Sequence, residues 1–363
     1  MSFSDINSLR KEGQLKEAFE LAKNEIKRTQ EAGDSDGLLW SKRGMSWVLF
    51  DYMKKCISKL EKNFRSSDFN NLIKVIRNVS TLGLPYDEDM FYEQFTWKIG
   101  NALDCLDQER HNNEAKRIFQ EIKEFDLSGN YEPYRYVLIQ FHKGLKNDPI
   151  YFEIIEWWNT ENFQHSDFEE NKNDEGNTYP SLAEQVLTNY YKHLVEKLKD
   201  GSITDDIEDY LVKLNRVIEA NPDFKYLHYR RAQILQFAGK EGEAIKAFLP
   251  YAKKNRRQTW VWELLGDLYD TNREIKISCY CKALSIPNKE DFVTKIRVKL
   301  AEQLINEKMY DEAKTEIEQY YDFRSQNGYK IANKVNSWIT MPWYQEATQK
   351  QTNKSFYKPE FDS

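Results

Sequence analysis

Trp262-Glu-Leu-Leu265-Gly266-Asp-Leu-Tyr269 is the stretch on which the fold turns. Spacings of three, four and seven bring Trp262, Leu265, Gly266 and Tyr269 to one side of an α-helix. A glycine inside such a face costs about 1 kcal/mol against alanine. Its presence predicts that a second helix packs where the side chain is missing. Moving outward, Ala232 lies 34 residues before Gly266 and Ala301 lies 35 after it, and Leu300-Ala301 repeats the pair Leu265-Gly266.

A second helix follows each small residue. It reads Gly239-Lys-Glu-Gly-Glu-Ala244-Ile245-Lys-Ala-Phe248 in one case and Lys308-Met-Tyr-Asp-Glu-Ala313-Lys-Thr-Glu-Ile317 in another. Between them, Cys279-Tyr280-Cys-Lys-Ala283-Leu284-Ser-Ile286-Pro287 reads as a helix end stopped by proline. This pattern resembles the tetratricopeptide repeat, a helix–turn–helix unit of about 34 residues. The resemblance implies an all-α fold: a right-handed superhelical solenoid of antiparallel helix pairs. Units are expected near 225–258, 259–293 and 294–327, preceded by a helix pair at 181–222. The middle unit departs from the family: Tyr269 to Tyr280 is two residues short, and Lys276 stands where a small residue is usual.

The N-terminus carries further echoes. Leu9-Arg-Lys-Glu-Gly13-Gln-Leu-Lys-Glu-Ala18-Phe-Glu-Leu-Ala22 reads as a turn and second helix. Trp40-Ser-Lys-Arg-Gly44-Met-Ser-Trp47 then gives an aromatic–small–aromatic face, after a loop longer than the family spacing. Asn113-Glu114-Ala115-Lys-Arg-Ile118-Phe119 repeats the second-helix motif, after a helix holding Trp97, Leu103 and Leu106. The expected organisation is degenerate repeats over 1–160, an acidic flexible loop over 161–178, repeats with a closing helix over 179–340, and a polar tail over 341–363. The loop, ENFQHSDFEENKNDEGNT, has no periodicity and follows a helix ending at Trp157-Trp158. The closing helix is expected from Tyr329 to Ile339, ended by Met341-Pro342-Trp343. The tail Lys354-Ser-Phe-Tyr-Lys-Pro-Glu-Phe-Asp-Ser363 resembles the junction in bacterial conflict-system proteins where a cold-shock-like domain follows a repeat region. It reads as the end of a piece of something longer.

Composition agrees with many polar-faced helices: charged residues are 31% of the 363, with only 14 Gly and 9 Pro. Aromatics at 14% are too many for a disordered chain. The net charge of −6 offers no general case for nucleic-acid binding. Met-Ser-Phe-Ser-Asp-Ile-Asn has neither the basic nor the apolar region of a signal peptide. No apolar run approaches the ~18 residues of a membrane span. A cytoplasmic protein with reduced thiols and no membrane association is expected.

Chemistry is sparse. There is no phosphate-binding glycine loop, nucleophile elbow or zinc-protease motif. The five histidines are scattered, and none has a His or Cys at ligand spacing. Cys279 and Cys281 lie two apart, so on a helix they diverge and read as packed thiols. Asp205-Asp206, after Thr204, and Asp87-Glu88-Asp89 read as helix starts. No enzyme, cofactor or metal site is expected. Trp157 and Trp158 read as one core residue and one partly exposed.

Two surfaces remain as binding candidates. The first helices of successive units offer Tyr226, Tyr229 and Gln233, then Glu263, Asp267 and Asp270, then Glu302. Such a face suits a protein or peptide partner, a basic one in particular, unless Arg230, Lys295 and Lys299 neutralise its acids. The alternative is nucleic acid at Lys253, Lys254, Arg256 and Arg257 followed by Trp260, in the manner of a helical arm of a prokaryotic defence protein. That cluster also fits an ordinary helix C-terminus, where cations meet free carbonyls. The family's grip on the acidic end of a chaperone peptide is not expected. Tyr229, Gln233 and Leu264 stand where it needs Lys and Asn, and Lys295 and Lys299 match in charge only. The function expected is that of a non-enzymatic scaffold or adaptor.

Overall fold

Asp34 shows how local chemistry sets the helix boundaries: its carboxylate accepts the Gly37 amide at 2.9 Å and starts the longest helix of the chain. The computed structural model describes residues 3–107, 110–172, 176, 178–203 and 207–357. Among them are eighteen α-helices, two short 3₁₀ helices and one two-residue antiparallel ladder. The chain divides into two compact units, Met1–His193 and Leu194–Ser363.

Unit 1 opens with α1 (Phe3–Lys11) and α2 (Leu15–Glu31), joined at Gly13, whose φ of +80° is the left-handed conformation that favours glycine. Ala18 and Ala22 of α2 are fully buried. The residues that lengthen the spacing beyond the family's extend α2 rather than a loop, because α3 (Ser35–Lys62) begins directly after the turn at Gly33. Then come α4 (Ser66–Leu82), α5 (Asp89–Asp104), α6 (Asn112–Ile122), α7 (Tyr131–Leu145) and α8 (Tyr151–Trp158). Gly44 of α3 lies under Ile6 of α1, and Gly100 of α5 lies under the Tyr136 ring of α7. The echo at Ala115 is real as a helix, but α5 packs chiefly on α7, while α6 lies against α4. Pairing here is therefore not that of regular repeats. Glu88 precedes α5 and is held by Arg43 at 2.5 Å.

The stretch expected as an exposed loop is exposed at most of its described residues yet anchored at one. It forms 3₁₀ turns at Thr160–Asn162 and His165–Phe168, then β1 (Asn171–Lys172) paired with β2 (Thr178–Tyr179). Asp167 is 1% exposed. Its carboxylate accepts from the Tyr131 hydroxyl, from Arg135 Nε at 2.6 Å and from the Gln164 amide at 3.0 Å. Residues 173–175 and 177 of this stretch lie outside the described residues. The unit boundary falls inside α9 (Leu182–Lys199), not at 178, so 179–193 group with unit 1.

Unit 2 continues with α10 (Ile207–Ala220); the expected helix start at Asp205-Asp206 lies outside the described residues. Three pairs follow: α11 (Lys225–Phe237) with α12 (Glu241–Lys254), α13 (Thr259–Leu268) with α14 (Arg273–Ser285), and α15 (Glu290–Asn306) with α16 (Tyr310–Gln326). One helix pair falls in each expected unit, although α15 begins at Glu290, four residues ahead of the expected start at 294. Ala232 and Ala301 are fully buried, and a Cβ on Gly266 would sit 2.5 Å from the Tyr280 ring of α14. The short middle unit keeps both helices, with Asn272 accepting the Ile275 amide to start α14.

The end of the chain differs from expectation. The closing helix is only α17 (Asn333–Trp338), and Pro342 begins α18 (Pro342–Glu346) instead of merely ending a helix. Proline is tolerated there because a first-turn amide has no intrahelical partner. The tail read as polar packs into unit 2, to which it belongs: Tyr344, Asn353 and Tyr357 are all buried. Glu316 of α16, with no exposed surface, accepts from Arg297, from Asn353 at 2.7 Å and from the Tyr357 hydroxyl. Residues 358–363 lie outside the described residues. No described helix is long and apolar enough to cross a membrane.

Candidate partner-binding face

The first helices of two successive pairs bring most of the expected face together. Tyr226 of α11 is 52% exposed, and its ring lies 6.3 Å from Trp260 of α13. Tyr229 approaches the same indole edge-on at 6.1 Å. Trp260 also meets Phe248 and Tyr251 of α12, at 6.4 and 5.9 Å. It therefore belongs to this aromatic cluster rather than to the cations that precede it in sequence. Gln233 donates to the Tyr229 hydroxyl at 3.2 Å and accepts from Arg230 at 2.7 Å. The Arg230 guanidinium lies over the Tyr229 ring. Burial pushes the Tyr229 hydroxyl above its ordinary pKa.

The carboxylates are not a free acidic stripe. Lys299 of α15 reaches Glu263 at 2.7 Å and Asp267 at 2.6 Å. Asp267 also accepts the Tyr280 hydroxyl at 2.7 Å. Burial pulls the Lys299 ammonium down, but Asp267 and Glu263 outweigh it and hold its pKa above the usual lysine value. Asp270 is exposed and paired with Lys276 at 2.8 Å, and Glu302 with Lys334 at 3.0 Å. Glu263 and Asp267 lie one helical turn apart on α13, so a single ammonium from α15 reaches both. Of the three expected neutralisers, Lys299 performs the task, whereas Arg230 serves Gln233 and Tyr229.

Lys253, Lys254, Arg256 and Arg257 are exposed at and beyond the end of α12. Among the described residues no carboxylate lies within ion-pair distance of them. Trp262 Nε1 donates to the Arg256 carbonyl at 2.7 Å, fixing the backbone there. Trp158 is fully buried and Trp157 half-buried. Burial raises the thiols of Cys279 and Cys281 to about 12 and that of Cys105 to about 11, which makes them poor nucleophiles at neutral pH. No cluster of three potential metal ligands occurs among the described residues.

Sequence reasoning missed two things at this face. One is the place of Trp260, for which the only signal was its helical offset from Glu263 and Asp267. The other is the support of Asp267 by Tyr280, a contact across helices with no signal in local spacing. A comparison with curated proteins finds no match. Residues 225–361 match a family described as a domain of unknown function (DUF7017), so the region similar to that family begins with α11 and takes in the tail.

Proposed function

We propose that the chain is a non-enzymatic scaffold whose helix pairs stack in the manner of tetratricopeptide repeats and present a binding face to a protein or peptide. The observation that carries this is the half-exposed Tyr226, held against Trp260 of the next pair, whose indole Tyr229 also meets. Amphipathic aromatics fixed in place contribute contact area at low entropic cost. Lys299 bridges Glu263 and Asp267 and offsets one of their two charges, so the face demands less of a basic partner. An extended segment with apolar or aromatic side chains suits it better.

The test is retention of cell-lysate proteins on the immobilised chain, comparing wild type with Tyr226→Ala. Thermal stability should stay within a few tenths of a kcal/mol, as for an ordinary surface change, while specific partners are lost. Unchanged retention would remove this face from consideration.

A second reading, nucleic-acid binding in the manner of a defence-protein arm, draws on Lys253, Lys254, Arg256 and Arg257, which have no carboxylate within ion-pair distance among the described residues. Phosphate contacts weaken steeply with salt. Oligonucleotide binding that falls with salt and with Lys253→Ala/Arg256→Ala would move the assignment to that cluster.

A further inference from the structure

We propose that the groove between α3 and α4 in unit 1 is a docking site for an acidic amphipathic helix of a partner protein. The groove has a volume of about 570 Å³, and its lining includes four lysines and no carboxylate. Lys55, Lys59 and Lys62 recur at spacings of four and three, so they form one row along α3. Lys74 lines the same groove from α4. Leu49, Tyr52 and Val75 supply apolar surface between the rows, and Phe19 of α2 bounds it. From Leu49 to Lys62 the α3 wall runs roughly 20 Å at the α-helical rise. That is room for several turns of a docked helix.

Charge identifies the occupant. Acids outnumber bases in this chain, 59 to 53, so four lysines lining one groove without a carboxylate run against its overall balance. Lys59 shares its charge with Asp68 at 3.5 Å. Among the described residues, Lys55, Lys62 and Lys74 have no carboxylate within ion-pair distance. A ligand bearing carboxylates on one side and apolar side chains on the other satisfies both parts of the groove, as in other helix-in-groove complexes.

The aromatic end gives the docked helix a direction. Phe19 and Tyr52 meet edge to face, with centroids 6.3 Å apart at 86°. Burial raises the Tyr52 hydroxyl, and Glu17 and Glu20 raise it further, so acids flank that end. The partner's carboxylates therefore align with Lys55, Lys59, Lys62 and Lys74, and its uncharged end meets Phe19. A nucleic-acid strand fits less well. Its phosphates would run on towards Glu17 and Glu20, and the ring contact between Phe19 and Tyr52 covers part of the surface on which bases would stack. This proposal concerns unit 1 and does not rest on the Tyr226 face.

The experiment is fluorescence anisotropy of a labelled helical peptide with Glu on one face and Leu on the other, titrated with the full chain. Lys55→Glu/Lys62→Glu/Lys74→Glu should weaken binding by about tenfold or more, equivalent to about 1.4 kcal/mol. The corresponding triple Arg variant should retain it, and a peptide with Ser for Leu should bind poorly. All three lysines are exposed, so both triple variants are expected to melt with wild type. If either does not, Lys74→Glu alone replaces it, with weakened binding expected again. Failure of the Glu/Leu peptide to bind, or binding indifferent to charge reversal, overturns the proposal. So does an oligothymidylate that binds more tightly than the peptide and loses affinity in the Glu variant, which would assign the lysines to a nucleic-acid strand.

Discussion

Asp167 in unit 1 and Glu316 in unit 2 perform the same task from opposite sides. Each is a carboxylate with no exposed side-chain surface, paired with an arginine and a tyrosine hydroxyl. In unit 1 the acid sits on the irregular segment, while Tyr131 and Arg135 wait on α7. In unit 2 the acid and Arg297 sit on helices, and the tail brings Tyr357 and Asn353 to them. A segment that looks polar and dispensable thus carries a buried charged contact among its fastenings, and average composition cannot reveal which residue makes it. The two differ in exposure: Arg297 is 12% exposed and also held by Glu290, whereas Arg135 is 31% exposed and can turn to water.

That difference predicts unequal costs. Glu316→Ala removes the buried carboxylate that Arg297, Asn353 and the Tyr357 hydroxyl share, leaving Arg297 to Glu290 and Asn353 to the Glu312 carbonyl, and should cost about 3–5 kcal/mol. Asp167→Ala should cost less, about 1–3 kcal/mol, because Arg135 can be rehydrated. It should also make 161–178 the first site of limited proteolysis. Denaturant unfolding of both variants decides; equal costs would mean that the two contacts are equivalent despite their exposure.

Acid separates the units in a second way. His142 of unit 1 is held at about 4, against an ordinary 6.5, by burial and then by nearby Lys146. Its Nδ1 lies 2.6 Å from the Tyr151 hydroxyl. As pH falls through 6.5 the unfolded chain takes up a proton that the folded chain refuses until about 4. The contribution to stability is therefore complete above pH 6.5 and declines by about 3 kcal/mol on the way down to pH 4. His228 of unit 2 is also lowered, by burial first. Unfolding of wild type and His142→Gln across this range isolates the unit 1 share: the variant should lose most of that slope. An unchanged slope would place the acid sensitivity elsewhere.

The helix pairs of unit 2 were legible because small residues recur at Ala232, Gly266 and Ala301, and this recurrence locates α11 to α16 to within a few residues. Gly100 was not legible, although it lies under a tyrosine ring in the same way. Trp97 stands three residues before it rather than four, and its covering ring comes from α7, beyond the next helix. The aromatic half of the candidate face followed from helical spacing. Its charge state did not, since the acids of α13 are bridged and partly offset by Lys299 of α15, a contact between helices. Tyr357 and Pro342 likewise depend on tertiary packing that overrides local polarity and local breaking signals.

The central structural claim is that Gly266 is glycine because Tyr280 occupies the place of its side chain. A double-mutant cycle tests it: Gly266→Leu measured by denaturant unfolding in the wild-type chain and in Tyr280→Leu. The account predicts a cost of about 1–3 kcal/mol in the wild-type background, from overpacking. With the ring removed the cost should shrink, leaving a coupling of about 1 kcal/mol or more. Helix propensity alone predicts that Gly266→Leu stabilises. Stabilisation, or a cost that is the same in both backgrounds, would contradict the contact and the repeat register built on it.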